Sequence, residues 1–311
     1  LLDQVAKRAS AMLEGLRLIA EYHWERKERD RAIQRFEDSR KILRSDSLDR
    51  AYAEMLLRQP TPANLVKAKQ LIEPLLEDAN RRDDKAMALH ALVALVEGDT
   101  KEASKRIRRA LSIKPKERGH RMIEARVAAE SGDARQALQL YDALLGERPS
   151  DLEVLSAKAR ILCRFRDTKR CITVAQELIR KQPTPEAFLL EGQGHLQERN
   201  PAQAMRSFRR AIALDRGHAE AHFMLGRTLF DENSFTAAIG SLRQSLDLAE
   251  ESSPWWPDLH YFLGMSYLRS KSARLGITHL NRYLSTKGNP ENPETSAQKK
   301  AAQDAIKRPA E

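Results

Sequence analysis

Small residues recur along this chain at an interval of about 34 positions, and no other feature of the sequence constrains the fold as strongly. One series consists of Ala103, Ala137, Cys171, Ala204, Ala238 and Gly276. A second series runs twelve residues ahead of the first, at Ala91, Ala125, Ala159, Gly192, Gly226 and Gly264. A fixed period of about 20–50 residues is typical of a solenoid built from one repeated supersecondary unit. We therefore expect stacked repeats rather than a single globular core.

Turn-forming residues lie between the two series, so each unit is predicted to be a helix, a short turn and a second helix. These turn signals are Gly98-Asp99, Gly132-Asp133, Arg166-Asp167, Asn200-Pro201 and Asn233-Ser234. Bulkier residues follow one helical turn after the small residue of each second helix, at Ile107, Tyr141, Ala175, Phe208, Leu242 and Leu280. Three prolines, Pro115, Pro149 and Pro183, are predicted to end successive second helices.

The composition fits a helical protein without a membrane span. Charged residues make up 32% of the chain, and the longest apolar stretch, residues 86–96, is interrupted by His90. That stretch is shorter than the roughly 18 apolar residues that a span requires. Residues 1–20 predict an amphipathic helix rather than a secretory signal.

Cys163 and Cys171 are the only cysteines, so the chain lacks the cysteines of a disulfide scaffold. A low cysteine content favours a reducing compartment. We therefore expect a cytoplasmic protein.

These features resemble the tetratricopeptide repeat (TPR) family, whose units carry small residues, a large apolar residue and a proline at fixed positions. The best-matched unit is residues 185–218, where Phe188, Gly192, Ala204, Phe208 and Ala211 occupy the expected positions. The resemblance covers roughly residues 13–290. It implies an all-α, right-handed superhelical solenoid of about eight helix-turn-helix units.

We predict three parts of the chain. Residues 1–83 hold N-terminal helices with two divergent units, and residues 84–290 hold six clear units. The six units begin near Asp84, Arg118, Leu152, Pro185, Ala219 and Pro257. Residues 291–311 are predicted to form either a helix that caps the last unit, beginning at Asn292 and Pro293, or a disordered tail. That helix could instead fill the groove.

The resemblance implies a concave groove, lined by one stripe of each first helix. Reading this stripe along the chain predicts a groove of Arg126, Arg160, Leu189, Gln193, Leu196, Phe223, Arg227, Phe230, Tyr261, Met265 and Leu268. Apolar residues and arginines in that position favour a partner protein, whether a peptide, an amphipathic helix or a small folded protein such as a GTPase. In the alternative interpretations these side chains contact one another, or the arginines pair with the neighbouring acids Glu130, Glu153, Glu186, Glu220 and Asp231.

Two further features have both a binding and a structural interpretation. Trp255 and Trp256 form either an exposed anchor for a partner or a hydrophobic staple between the last two units, which we favour for at least one ring. A basic patch on one second helix consists of Lys101, Lys105, Arg106, Arg108 and Arg109. The patch is either a solvated face or a docking surface for nucleic acid or an anionic membrane.

No pattern in the sequence indicates catalysis. His218 and His222 are four residues apart, but His218 is predicted to lie in a turn and no third metal ligand is near. Cys171 takes a small core position, and no histidine lies near Cys163 to activate a thiol. We therefore expect a non-enzymatic scaffold or adaptor that binds a protein and needs no cofactor, metal or small-molecule substrate. Docking through the basic convex face on nucleic acid or a membrane surface is the less favoured alternative.

Overall fold

A computed structural model of the protein describes residues 14–16, 18–24, 26, 28–42, 45–77, 82–251, 253–286 and 293–307. Residues 14–16 and 18–24 are helical. The helices that follow are α1 (Arg29–Ile42), α2 (Asp46–Leu57), α3 (Pro62–Leu76), α4 (Asp84–Val96), α5 (Thr100–Ile113), α6 (Arg118–Glu130), α7 (Ala134–Glu147), α8 (Leu152–Arg164), α9 (Thr168–Lys181), α10 (Pro185–Gln197), α11 (Pro201–Leu214), α12 (Ala219–Asp231), α13 (Phe235–Leu248), α14 (Trp256–Arg269), α15 (Ala273–Ser285) and α16 (Pro293–Lys307). Within these ranges the chain contains no strand. The prediction of an all-α fold of paired helices is confirmed.

The chain divides into two compact units, residues 1–147 and 148–311, which we call unit 1 and unit 2. In unit 1, α2 packs on α3, α4 on α5 and α6 on α7. Its N-terminal core contains Ala20, Ala32, Phe36 and Tyr52, and the rings of Phe36 and Tyr52 stack with centroids 5.0 Å apart. The N-terminal helices thus bury small and aromatic residues in one core.

Unit 2 contains four helix pairs and one further helix. The pairs are α8 with α9, α10 with α11, α12 with α13, and α14 with α15. Helix α16 packs against α14 and α15, where its residue Ala302 is fully buried beside Leu268 and Leu280. The Tyr283 hydroxyl also donates to Gln298 Oε1 at 3.2 Å. Helix α16 therefore covers the apolar side of the last pair; Asn292, its predicted N-cap, lies outside the described residues.

The same turn joins the two helices of six successive pairs. One residue adopts the left-handed conformation, and the next caps the second helix; the left-handed residues are Gly98, Gly132, Arg166, Arg199, Asn233 and Lys271. The cap amide bonds to a carbonyl near the end of the first helix, as in Asp99 N to Ala94 O at 2.9 Å and Asp167 N to Leu162 O at 2.9 Å. This is the Schellman arrangement, which satisfies carbonyls at a helix end. The predicted turn signals therefore mark real turns.

The recurring small residues lie where paired helices approach most closely. A Cβ added at Gly226 would lie 2.6 Å from Leu242 Cγ, and one at Gly192 would lie 2.4 Å from the Phe208 ring. Real Cβ contacts are longer than this, so glycine is required for these helix separations.

The three prolines follow the ends of α5, α7 and α9 by two residues, as predicted. None of the described helices has the length and apolar character of a membrane-spanning segment.

Candidate functional site

A concavity of unit 2 lies on the side of the first helices α8, α10 and α12 and has a volume of about 750 Å³. Its charged lining is mainly arginine: Arg160, Arg164, Arg166, Arg199 and Arg227, with one acid, Asp231. Polar lining residues are Thr168, Gln193 and Gln197. Apolar lining residues are Cys163, Leu196 and Met224. A pocket that combines arginines with apolar side chains is suited to a polypeptide surface.

Four residues predicted for the groove line this cavity: Arg160, Gln193, Leu196 and Arg227. Helices α8, α10 and α12 bring them together because each residue sits on the same face of its first helix. Arg126 lies on α6 of unit 1, where its side chain is exposed.

Three predicted groove residues are instead buried. Leu189 is 2% exposed, Phe223 is 3% exposed and Leu268 is 6% exposed. Neighbouring helices cover these positions, so they support the wall of unit 2 rather than form its surface. Phe230, Tyr261 and Met265 are half-buried and pack against aromatic and aliphatic neighbours within unit 2. The interpretation in which groove-stripe residues contact one another therefore describes the C-terminal part of the stripe.

Trp255, which immediately precedes α14, and Trp256, the first residue of α14, both pack within unit 2. Trp255 stacks on Phe223 with ring centroids 5.0 Å apart. Trp256 meets His260 edge-on, at 5.1 Å between centroids. Both rings remain half-buried, so the staple interpretation describes their contacts better than an exposed anchor does.

Polar side-chain contacts join the successive first helices α8, α10 and α12 beside the cavity. Arg160 Nη2 lies 2.8 Å from Glu186 Oε1, and Gln193 Nε2 donates to Glu220 Oε1 at 3.4 Å. Burial raises the pKa of the Glu220 carboxyl above its ordinary value; the nearby Glu186 carboxylate adds to this effect, and Arg160 opposes it. Arg227 places its guanidinium 5.3 Å from the centre of the Phe262 ring. The arginines of the groove are thus oriented by neighbours in their own unit.

Three lining arginines were not predicted for the groove: Arg164, Arg166 and Arg199. Arg164 is the last residue of α8, and its guanidinium lies 5.8 Å from the centre of the Phe165 ring. Arg166 and Arg199 occupy the left-handed turn position, with φ of 59° and 57°. One sequence signal could have revealed Arg166 and Arg199, because the equivalent turns of unit 1 carry Gly98 and Gly132; Asn233 and Lys271 occupy this position in the later turns of unit 2. Arginine at a position that favours glycine is unusual.

The two cysteines form a disulfide, which the sequence analysis did not foresee. Cys163 near the end of α8 and Cys171 near the start of α9 have Cα atoms 5.1 Å apart. The short turn folds these helix ends against each other, and this brings residues that are eight positions apart into bonding range. Cys171 still fills the small core position predicted for it, but neither cysteine is a free thiol. Cys163 also lines the cavity.

The other candidate residues have local contacts. In the basic patch on α5, Lys101, Lys105, Arg108 and Arg109 are exposed. Glu102 pairs with Arg106 at 2.5 Å and with Lys105 at 3.6 Å. His218 caps α12 by accepting from Ala221 N, and His222 Nε2 lies 3.1 Å from Arg216 O. Among the described residues, no cluster of histidine, cysteine or acidic side chains is arranged to hold a metal ion.

Comparison by sequence finds one family and no curated relative. The tetratricopeptide repeat model matches residues 88–152, 124–186 and 189–253, which together make up more than half of the chain. No curated protein matches the sequence.

Solved structures with the same fold have low sequence identity to this chain. A tetratricopeptide repeat protein from Parabacteroides merdae has a TM-score of 0.60 at 17% identity, covering 81% of this chain and 99% of the other. The human IFIT1 dimer with m7Gppp-AAAA has a TM-score of 0.66 at 14% identity, covering 93% and 71%. The Cut9–Hcn1 assembly of APC/C has a TM-score of 0.61 at 17% identity; this chain is covered over 88% of its length but spans only 59% of that chain. These similarities show the fold alone.

Proposed function

The chain belongs to the tetratricopeptide repeat family, and from this premise we propose that it is a non-enzymatic scaffold that holds a partner protein against the first helices of unit 2. The cavity formed by α8, α10 and α12 carries the proposal. Its volume of about 750 Å³ and its lining of arginines with Leu196 and Met224 suit a protruding segment of another protein. A peptide, an amphipathic helix or a loop of a small folded protein such as a GTPase would fit.

We assign the contact surface to Arg160, Gln193, Leu196 and Arg227. The buried residues Leu189 and Phe223 pack in the core beneath the helices that present them. Leu268 instead packs against α15 and α16. Truncating a buried residue would disturb packing as well as binding, so the experiment uses residues that line the cavity and are not buried. Arg126, on unit 1, remains a separate predicted contact.

Site-specific photo-crosslinking tests the proposal. A photoreactive amino acid replaces Leu196 in the cavity or, as the matched control, Arg209 on the exposed face of α11. We expect the residue 196 variant to capture one reproducible protein from native extract, identified by mass spectrometry, and the residue 209 variant not to capture it. Capture of the same protein only from residue 209 would overturn the assignment of the cavity.

A second candidate function rests on the exposed cations of α5. Lys101, Lys105, Arg108 and Arg109 present positive charge that could dock on nucleic acid or an anionic membrane. Such contacts weaken steeply with ionic strength. Binding of RNA or anionic vesicles that disappears when these four residues are changed to glutamine would support this function.

Two features of the chain point to different cellular locations. A low cysteine content favours the cytoplasm, as the sequence predicts, whereas an intramolecular disulfide is typical of an oxidising compartment. The redox state of Cys163 and Cys171 in cell extracts prepared with a thiol-blocking reagent would decide between them.

A further inference from the structure

We propose that Arg164, Arg166 and Arg199, which we call the arginine rim, bind an acidic segment of the partner protein, with aspartate or glutamate side chains seated between the guanidinium groups. This inference rests on the proposed function, because it assigns the chemistry of the partner that the same cavity would hold.

Two residues of the rim lie at turn positions whose backbone conformation favours glycine. Arg166 and Arg199 have φ of 59° and 57°, a left-handed conformation that disfavours residues with a Cβ atom. Gly98 and Gly132 occupy the equivalent turns of unit 1, and Asn233 and Lys271 occupy the two later turns of unit 2. The turn itself therefore works with glycine, and of the four residues that oppose the backbone preference, Arg166 and Arg199 are the two that line the cavity. Residues held against such a preference cluster at functional sites.

Charge gives the rim its ligand preference. Five arginines and one acid line the cavity, and of these arginines Arg160 already pairs with Glu186. Arg166 and Arg199 are exposed, and across the described part of the chain neither guanidinium has an ion-pair partner. A concave surface with an excess of one charge concentrates ligands of the opposite charge.

Two hydrogen bonds and the disulfide connect the helix ends and the turn that carry the rim. Gln197 Nε2 donates to Cys163 O at 2.6 Å, and the Thr168 hydroxyl donates to Gln197 Oε1 at 3.0 Å. These bonds tie the end of α10 to both sides of the turn that carries Arg166. The Cys163–Cys171 disulfide closes the same turn. A surface fixed in this way loses little conformational entropy when it binds.

The remaining lining favours a polypeptide over a nucleic acid. Among the residues that line the cavity there is no aromatic ring on which a base could stack, whereas Leu196 and Met224 offer aliphatic contacts. The planar fork of an arginine matches a carboxylate with two parallel hydrogen bonds. An acidic segment that also carries aliphatic side chains would use both parts of the surface.

Fluorescence anisotropy tests the rim with a defined probe, a short fluorescein-labelled peptide of alternating glutamate and leucine. The test variant is R166G/R199G, which installs the residue found in the equivalent turns of unit 1 and so preserves the fold, as circular dichroism should verify. We expect its affinity for the peptide to fall by about tenfold or more, since two charge-assisted contacts are lost. A peptide with glutamine in place of glutamate should bind neither protein.

The matched control is R206A/R209A, which removes the same charge from two exposed arginines of α11 that do not line the cavity. We expect this variant to bind the acidic peptide within about twofold of the parent, a difference well below 1 kcal/mol. If both double variants lose the same affinity for the peptide, net charge alone explains the loss, and the inference is overturned. Tighter, rim-dependent binding of a single-stranded RNA of equal charge would overturn it too.

The two proposals fail in distinguishable ways. If the protein captured from residue 196 is still captured by R166G/R199G with undiminished yield, the scaffold function stands and the acidic-segment inference is wrong. If the acidic peptide requires the rim but no protein is captured at residue 196, the scaffold proposal loses its support.

Discussion

Trp255 lies face to face on Phe223, with their ring planes 15° apart. Trp255 immediately precedes α14, and Phe223 is on α12, so the stack connects two successive helix pairs of unit 2. It explains why Phe223, at a position predicted to face a groove, is shielded from solvent.

This stack predicts energetic coupling between the two rings. Aromatic pairs contribute about 0.5–1.5 kcal/mol beyond their buried area, so a double-mutant cycle of W255A and F223A should give a coupling free energy of about 1 kcal/mol. Urea unfolding followed by circular dichroism measures it. W256A is the control, because Trp256 contacts His260 instead, and its effect should add to that of F223A. Additivity of W255A with F223A would contradict the stack.

Gly226 predicts a steric limit on the approach of α12 and α13. In G226A the new Cβ would lie 2.6 Å from Leu242 Cγ and 3.1 Å from its backbone nitrogen, so we expect a loss of about 1–3 kcal/mol in unfolding free energy. The matched control is G240A on α13, where an added Cβ meets no atom within 4 Å. Alanine there should leave stability unchanged or raise it by about 0.5–1 kcal/mol. A G226A protein as stable as G240A would show that the helices can separate freely.

The disulfide predicts redox-dependent stability of unit 2. Closing a loop between residues eight positions apart restricts the unfolded chain, so reduction should lower the unfolding free energy by about 2–3 kcal/mol. Urea titrations with and without a phosphine reductant measure the difference, and a C163S/C171S variant should not respond to the reductant. Alkylation of both cysteines in the native, unreduced protein would show that the bond is absent.

The histidine pair between α14 and α15 predicts that acid weakens unit 2. His260 Nδ1 lies 2.9 Å from His279 Nδ1, and burial, with smaller contributions from His279 and Arg282, lowers the pKa of His260 to about 4. The unfolded state therefore binds more protons between pH 6.5 and 4, and stability is lost as the pH falls through this window. At about 1.4 kcal/mol per pKa unit, unfolding at pH 5 should require about 2 kcal/mol less than at pH 7.5.

Tryptophan fluorescence can follow this unfolding locally. In a W24F background only Trp255 and Trp256 remain, and both lie in unit 2. H260F should reduce the pH dependence, because it removes one buried imidazole; burial also lowers the pKa of His279, which therefore keeps its own contribution. An unchanged pH profile in H260F would assign the effect to other groups.

Much of the helix arrangement was predictable from the sequence, because helix pairing here is a local property. Every small residue of the two series is buried, as are Ile107, Tyr141, Ala175, Phe208, Leu242 and Leu280. Their spacing follows from the helical period and from a turn of constant length, both of which are encoded within one repeat. The division into units after Glu147, in contrast, has no such local signal.

The candidate site was predictable only in part. Four residues of the predicted stripe, Arg160, Gln193, Leu196 and Arg227, line one cavity, since one face of each first helix points the same way. Leu189 and Leu268 lie on that stripe too, but adjacent helices cover them. A periodic pattern gives the direction of a side chain, whereas its exposure depends on what packs over it.

The sequence by itself determined the family, the helix pairs and the small residues that let them approach, because these depend on contacts within and between adjacent repeats. Only the tertiary structure decided that Trp255 covers Phe223, that Cys163 meets Cys171 and that Arg166 and Arg199 flank one cavity. Each of these outcomes depends on the angle at which one helix leaves a turn and packs on the next. Small differences in that angle place side chains in contact or apart without changing the residue pattern along the chain.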